Sequence, residues 1–250
     1  MASRKILITG ATGFLGTNLQ AAIAAHFPNE YEIAAYNSRS DLRELEEHTR
    51  DCAFVFHLAA VHRPKEPAEF ARVNTDLFAY LLENLEKHAN NCPVLYTSSI
   101  QASDDTPYGH SKSNAEALLR QHCEKTGSSG MVYRLTNTFG PHARPNGHSV
   151  VATFCYNINR GLPIQVNNPA HLMRLYYVED VMELFLQQLR MPPEGFVQGS
   201  LDEDKIRLVT LQQLADALYG FREAMEKGQI PQTKNAFEAD LLQTYCSYKE

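Results

Sequence analysis

Apolar residues fall in short runs through the first half of the chain, and each run is followed by a stretch where they recur every three or four positions. Residues 5–9 (K-I-L-I-T), 31–36, 53–58, 94–98 and 131–135 read as buried strands. Residues 14–26, 42–50, 67–89 and 108–125 read as the helices between them. Asp41 precedes the short helix 42–50 with Glu44 three residues on, the spacing of a capping box. Strand and helix alternating at this pitch imply right-handed crossovers. The expected fold is therefore α/β, a doubly wound parallel sheet covered on both faces.

After Thr136 the pattern loosens. Residues 136–148 are rich in Gly, Pro and Asn and read as a long functional loop. A helix is expected over 149–160, ended by Gly161, then short strand-like pieces at 164–166 and 175–178 and helices at 179–190 and 211–226, the last capped by Thr210. Segments 192–205 and 227–234 read as surface loops. The last hundred residues look too broken up for an independent core, so they are expected to cap the carboxyl edge of the sheet and shape a substrate cleft. The whole of 1–250 is then one domain.

Composition narrows the function classes. With 250 residues, 44% hydrophobic and 21% charged, the chain is an ordinary globular protein. A formal net charge of −6 argues against nucleic acid as the main partner, because phosphate binding needs a basic surface. The longest apolar stretch, around 53–61, is about half a membrane span and contains His57, and the N-terminus does not read as a signal peptide. The five cysteines are scattered and never form a C-x-x-C pair, so they are expected to be reduced thiols in a cytoplasm, with no zinc or other metal site.

Directly after the first strand stands Thr9-Gly10-Ala11-Thr12-Gly13-Phe14-Leu15-Gly16. Gly10 permits a tight turn, Gly13 lets backbone approach a pyrophosphate, and Gly16 lets the helix pack close to the strand. A glycine-rich turn alone also serves purely structural ends. Set between a first strand and an apolar helix, it reads as the dinucleotide loop of a Rossmann-type fold, with the anion on the helix N-terminus. Residues 1–135 are then mainly dinucleotide-binding and 136–250 mainly substrate-binding. At the end of the second strand an acidic residue would select NAD, but here Asn37-Ser38-Arg39-Ser40 follow Tyr36 and no carboxylate comes before Asp41. Ser38 and Arg39 suit a 2′-phosphate, so NADP(H) is expected, against the plain alternative of a solvated loop arginine.

Tyr108 and Lys112 are four apart at a helix start, on one face. A nearby ammonium is expected to lower the phenol's pKa and make it an acid or base near neutrality. Tyr245 and Lys249 repeat the spacing in the tail, but only Tyr108 follows a strand ending in Thr97-Ser98-Ser99, at the sheet edge where ligands of such folds bind. A hydroxyl there can orient a substrate carbonyl; strand-end capping is the bland alternative, stronger for Ser98 than for Ser99. His110, inside the motif, reads as an exposed helix residue.

With T-G-A-T-G-F-L-G (9–16), H-L-A-A (57–60), S-S (98–99), Y-x-x-x-K (108–112) and R-L-T-N-T-F-G-P (134–141) in order along the chain, the sequence resembles the extended short-chain dehydrogenase/reductases, the NAD-dependent epimerase/dehydratase family. The resemblance implies Tyr108 as general acid/base, Lys112 as the group that binds the nicotinamide ribose and tunes it, and Ser99 as the residue polarising the substrate carbonyl. It also places Leu58, Ala59 and Ala60 along the cofactor and Asn137 at the substrate. Within the family, His57–Pro64, 98–102, 145–156 and Asp240-Leu241-Leu242-Gln243-Thr244-Tyr245 resemble the reductase domain of capsular-polysaccharide enzymes on the route to UDP-N-acetyl-L-fucosamine. Those proteins continue into a cupin domain with metal-dependent epimerase chemistry, so a cupin-type epimerase domain or partner outside this sequence is a candidate companion.

The resemblance implies NADPH-dependent reduction of the 4-keto group of a UDP-4-keto-6-deoxy-N-acetylhexosamine. Dehydratases of the family carry an acidic pair after the catalytic threonine, whereas Ile100-Gln101 follow Ser99 here; its 4-epimerases usually hold NAD through the acidic residue missing after the second strand. Arg63, Arg144, Asn146 and Arg174 join Ser99 and Asn137 as candidate substrate contacts, with a plain surface role as the alternative for the arginines. A 4-epimerase, a reductase for a dTDP- or GDP-sugar, a non-enzymatic NADP(H) sensor and an interaction protein stay open. A homodimer through helices 67–89 and 108–125 is expected of this family. About twenty residues separate the second strand from His57, so a strand usual there is either a stub near 40–42 or missing.

Overall fold

In a computed structural model, residues 3–62, 64, 66–147 and 149–249 are described. They form two compact units: the chain up to Leu135 together with Met182–Leu201, and Thr136–Val181 together with the chain from Asp202 on. The first unit holds β1 (Arg4–Thr9), α1 (Phe14–His26), β2 (Tyr31–Tyr36), α2 (Leu42–Thr49), β3 (Phe54–His57), α3 (Leu77–Lys87), β4 (Val94–Ser99), α4 (Pro107–Thr126) and β5 (Gly130–Leu135). The second unit holds β6 (Asn137–Phe139), α5 (Val150–Asn159) and β7 (Leu172–Tyr177). Helix α6 (Val178–Arg190) carries the chain back to the first unit for β8 (Phe196–Gly199). Strand β9 (Arg207–Thr210), α7 (Leu211–Glu226) and α8 (Ala236–Cys246) complete the second.

The central sheet is parallel throughout, in the order β2-β1-β3-β4-β5-β8. Its strands are near-continuous apolar runs because both faces are covered: Ile6, Leu7, Ile8, Phe54, Val55, Phe56, Val94 and Leu95 are all but inaccessible. The order places β2 at the edge, and along the chain only α2, with no strand among the described residues, separates β2 from β3. The missing-strand alternative is thus the one found, and Asp41 starts α2 instead. Its Oδ1 accepts from the Arg43 (2.8 Å) and Glu44 (2.9 Å) amides in the expected capping box.

Three expectations about the elements need correction. The helix expected over 67–89 is broken into a π-helical stretch, Phe70–Asp76, and α3; the wider turn accommodates one extra residue, and the Leu77 amide reaches back five positions to the Arg72 carbonyl. The loop expected at 192–205 contains β8, hidden by its brevity and by Gly195 and Gly199. The Tyr133 ring lies where a β-carbon of Gly199 would go, which ties that glycine to packing. Residues 164–166, between Pro163 and Pro169, form no strand, whereas the expected 175–178 strand runs over Leu172–Tyr177.

The second unit packs aromatic side chains of its own, whereas the last hundred residues are expected to be too broken up for an independent core. Phe139 packs on Tyr177 (5.3 Å between ring centroids) and Phe237 (5.8 Å), and Phe221 on Tyr245 (6.2 Å). Its sheet, β6-β7-β9, joins a parallel to an antiparallel pairing. Thr210 caps α7 in a full capping box with Gln213, and Asn235 caps α8.

Candidate active site

The turn after β1 is built by close approach. Gly10 takes φ of +69°, and a β-carbon on it would stand 2.8 Å from the Ala59 amide nitrogen. A β-carbon on Gly16 would overlap the Gly10 carbonyl. Gly13 is the extended N-cap of α1 and supplies no side-chain cap, so the first amides of α1 are left for an anion. Thr9 ties in the segment after β3: its carbonyl accepts from Leu58 (3.2 Å) and its Oγ1 from Ala59 (3.3 Å). The glycine loop, with exposed Thr12 and half-buried Phe14 and Leu15, thus stands against Leu58, Ala59 and Ala60, all half-buried.

At the end of β2 the chain turns at Asn37-Ser38-Arg39-Ser40. The Asn37 carbonyl accepts from Ser40 (3.0 Å) and its Oδ1 from the Arg39 amide (3.0 Å). Ser38 and Arg39 are exposed, and Arg39 makes no ion pair among the described residues. The nearest following carboxylate, Asp41, is occupied by the α2 amides.

Strand β4 delivers Ser98 and Ser99 at its carboxyl end. The Ser99 Oγ accepts from the Gln101 amide (3.2 Å), capping a 3₁₀ turn over Ile100–Ser103, and its hydroxyl acts to lower the pKa of the Tyr108 phenol. Thr106 caps α4 and Pro107 occupies its first turn, which sets Tyr108 at the helix start. The Tyr108 ring lies 5.1 Å from that of His62 and 5.7 Å from that of Phe70. One turn on, Lys112 is 2% exposed; its Nζ donates to the Thr97 carbonyl at 2.9 Å and stands 4.9 Å from the Tyr96 ring and 6.0 Å from the Tyr108 ring. Ser99, Tyr108 and Lys112 are therefore one group.

The electrostatics differ from expectation. Burial pushes the Tyr108 phenol up to about 12, opposed by the Ser99 hydroxyl. Burial pushes Lys112 down to about 7, opposed by the Glu116 carboxylate. The expected lowering of Tyr108 by Lys112 is absent because desolvation acts on both groups and the ammonium is turned to the Thr97 carbonyl.

Several residues around this group were not singled out from sequence. Asn74, 1% exposed in the π-helical stretch, accepts from the Val61 amide (2.8 Å) and donates to the Val61 carbonyl (3.1 Å) and the Ser111 Oγ (3.0 Å). It thus clips the segment after β3 to α4. Glu116 is held by Ser98 and Arg134. His57, fully buried, bonds the Thr9 hydroxyl through Nδ1 (2.9 Å) and stacks on Phe78; burial holds it neutral, with a pKa of about 3. A capping pattern or a helical period identifies none of these, since each is defined by a partner far along the chain.

Asn137, Arg144, Asn146 and Arg174 belong to the second unit. Asn137 is exposed on β6. Arg144 is exposed on the turn that also carries Asn146, whose φ is +55° and whose amide donates to the Thr153 Oγ1 (3.0 Å). Arg174 on β7 pairs with Glu203 at 3.0 Å. Arg63 lies outside the described residues. His110 is exposed and meets Asp105 at 3.0 Å, whereas Tyr245, for all its spacing to Lys249, is buried beside Phe221.

Fold and site together define an α/β protein of the Rossmann type with a Ser–Tyr–Lys grouping at the carboxyl edge of its sheet. The chain belongs to the NAD dependent epimerase/dehydratase family, which matches residues 6–200. It is 37% identical over 244 residues to a UDP-2-acetamido-2,6-beta-L-arabino-hexul-4-ose reductase of Pseudomonas aeruginosa, covering 98% of this chain and 64% of the relative. The crystal structure of the capsular polysaccharide assembling protein CapF from Staphylococcus aureus superposes with a TM-score of 0.86 at 35% identity, covering 98% of this chain and 66% of that one. The chain thus spans about two thirds of the length of these relatives. A UDP-glucose 4-epimerase of Thermus thermophilus in complex with NAD shares the fold at 20% identity (TM-score 0.77, 98% of both chains).

Proposed function

We propose that this chain uses NADPH to reduce the 4-keto group of a UDP-4-keto-6-deoxy-N-acetylhexosamine, a step of capsular or O-antigen sugar biosynthesis. The observation that carries the reading is the grouping of Ser99, a protonated Tyr108 and a buried Lys112, with Ile100 and Gln101 rather than carboxylates beside Ser99. A ketone reductase needs a phenol that holds its proton until the carbonyl oxygen gains charge, and burial keeps that proton on Tyr108 at neutral pH. The named reductase relative supports the same substrate class.

The cradle of Gly10, Gly13 and Gly16, which a β-carbon at Gly10 or Gly16 would fill, fits a dinucleotide pyrophosphate. A reduced nicotinamide bound in such a fold supplies the hydride that the keto carbon accepts. Ser38 and Arg39 meet the 2′-phosphate, Leu58, Ala59 and Ala60 line the cofactor, and Lys112 donates to the ribose. Ser99 polarises the substrate carbonyl and Tyr108 gives its phenolic proton to the oxygen. Asn137, Arg144, Asn146 and Arg174, with Arg63, contact the UDP-sugar.

The test is NADPH oxidation with freshly generated UDP-4-keto-6-deoxy-N-acetylhexosamine. Wild-type protein is expected to turn over, and Tyr108→Phe to lose roughly 10²–10⁴-fold in rate while still binding NADPH. Turnover retained by Tyr108→Phe, or its absence in wild type both alone and with a cupin-type 3-epimerase added, would overturn the reading.

A further inference from the structure

The carboxylate of Glu116 lies one helical turn beyond Lys112, 9% exposed, and is held from three directions. Its Oε1 accepts from Arg134 Nε (2.9 Å) and from the Ser98 hydroxyl, and its Oε2 from a terminal nitrogen of Arg134 (2.7 Å). The fork is bidentate, the geometry that fixes a carboxylate best. The other terminal nitrogen of Arg134 donates to the Ser103 Oγ at 2.9 Å, at the end of the turn that begins from Ser99. Ser98 and Arg134 are paired in register across β4 and β5, so the network joins two strands, a helix and a turn.

We infer that Glu116 and Arg134 are positioning residues of the reductase site, the carboxylate serving Lys112 and the guanidinium serving Ser99. The inference deepens the proposed function and rests on it. The other groups around Lys112 carry no negative charge: neutral His57 on β3, the Tyr96 ring and Thr97 carbonyl on β4, which offer the ammonium only dipolar contacts, and the neutral Tyr108 phenol on its own helix. Arg134 on β5 is cationic. Glu116 is the anion that opposes the desolvation of Lys112, and the Arg134 fork and Ser98 hold its oxygens in place. A free carboxylate on a flexible side chain would instead turn toward water. At the same time Arg134 anchors Ser103, four residues after the hydroxyl that meets Tyr108, so the capped turn keeps Ser99 aimed.

Glu116→Gln keeps the shape and removes the charge. NADPH affinity, read by nicotinamide fluorescence, is then expected within about twofold of wild type near pH 5.5 and about tenfold weaker near pH 8.5, the signature of roughly one pKa unit lost by Lys112. Glu116→Asp restores the wild-type profile. A purely structural role predicts weakening that is the same at every pH, and that result, or no change at all, overturns the Lys112 half. Ser103→Ala, on an exposed turn, separates the second half: kcat for the ketone falls several-fold with NADPH affinity unchanged, and an unchanged kcat overturns the claim for Arg134. Should Glu116→Gln fail to fold, Ser98→Ala, which keeps the charge but removes one of the bonds that hold it, decides the Lys112 half: NADPH affinity weakening more at pH 8.5 than at pH 5.5 supports it and an unchanged profile overturns it. If wild type reduces no ketone while its NADPH affinity and that of Glu116→Gln diverge with pH, the function falls and the Glu116–Lys112 coupling stands.

Discussion

Gly10 and Ala59 stand so close that the turn after β1 and the segment after β3 admit no β-carbon between them: one on Gly10 would lie 2.8 Å from the Ala59 amide nitrogen. Gly10→Ala therefore combines a left-handed backbone with a backbone clash. Gly228, at φ of +70° with nothing near it, isolates the backbone term. We expect Gly228→Ala to cost on the order of 1 kcal/mol and Gly10→Ala clearly more, with NADPH binding lost only in the latter. Thermal unfolding checks this; equal melting temperatures for the two variants would contradict it.

The first carboxylate after β2 is engaged in capping α2, since Asp41 accepts from the amides of Arg43 and Glu44. Asp41→Ala is expected to destabilise by about 1 kcal/mol and to leave the preference between NADPH and NADH unchanged. Arg39→Ala is expected to do the reverse, weakening NADPH but not NADH. Affinities for both dinucleotides, measured on both variants, test the assignment of Arg39 to the 2′-phosphate.

What could be read from the sequence follows from how local each signal is. The strands of the central sheet show as apolar runs because they are buried on both faces, and the caps at Asp41 and Thr210 show because their partners lie three residues away. Strand β8 stays hidden since its four residues are partly or fully exposed and framed by glycines, and α8 since its Asn235–Glu238 cap follows directly on a loop-like stretch. Tyr108, Lys112 and Ser99 were found by spacing and by the strand before them. The charge state of that site was not, because the burial that raises Tyr108 and lowers Lys112 is a property of the packed sheet. Asn74 and Arg134 were missed as site residues for the same reason: their partners Val61, Ser111 and Glu116 lie 13 to 37 residues away.

Asp240 on α8 is raised to about 6 by burial and by the neighbouring Asp180 and Glu179 carboxylates, with Arg207 opposing. Its unfolded value is 3.8, so between the two the folded state binds more protons and stability falls as pH rises. Asp240→Asn should therefore raise the melting temperature at neutral pH. The gain should shrink through the range below about 6 and vanish below about 4, where both states hold the proton. A gain that persists unchanged at low pH would contradict this.

Lys112 gives the opposite sign. Its ammonium is pushed down to about 7 in the folded protein from an ordinary 10.5. Between those values the unfolded chain binds the extra proton, so raising the pH relieves a cost that is present in full below 7. Lys112→Met keeps the length of the side chain and removes both the charge and its hydrogen bond to the Thr97 carbonyl. The lost bond is a constant offset of about 1 kcal/mol, whereas the removed desolvation cost depends on pH. The melting temperature of Lys112→Met relative to wild type should accordingly be highest near pH 6 and decline steadily toward pH 9, while turnover is lost at every pH. A relative stability that does not change with pH would mean that Lys112 keeps an ordinary pKa in the folded chain. The charge-keeping role assigned to Glu116 would then have nothing to act on.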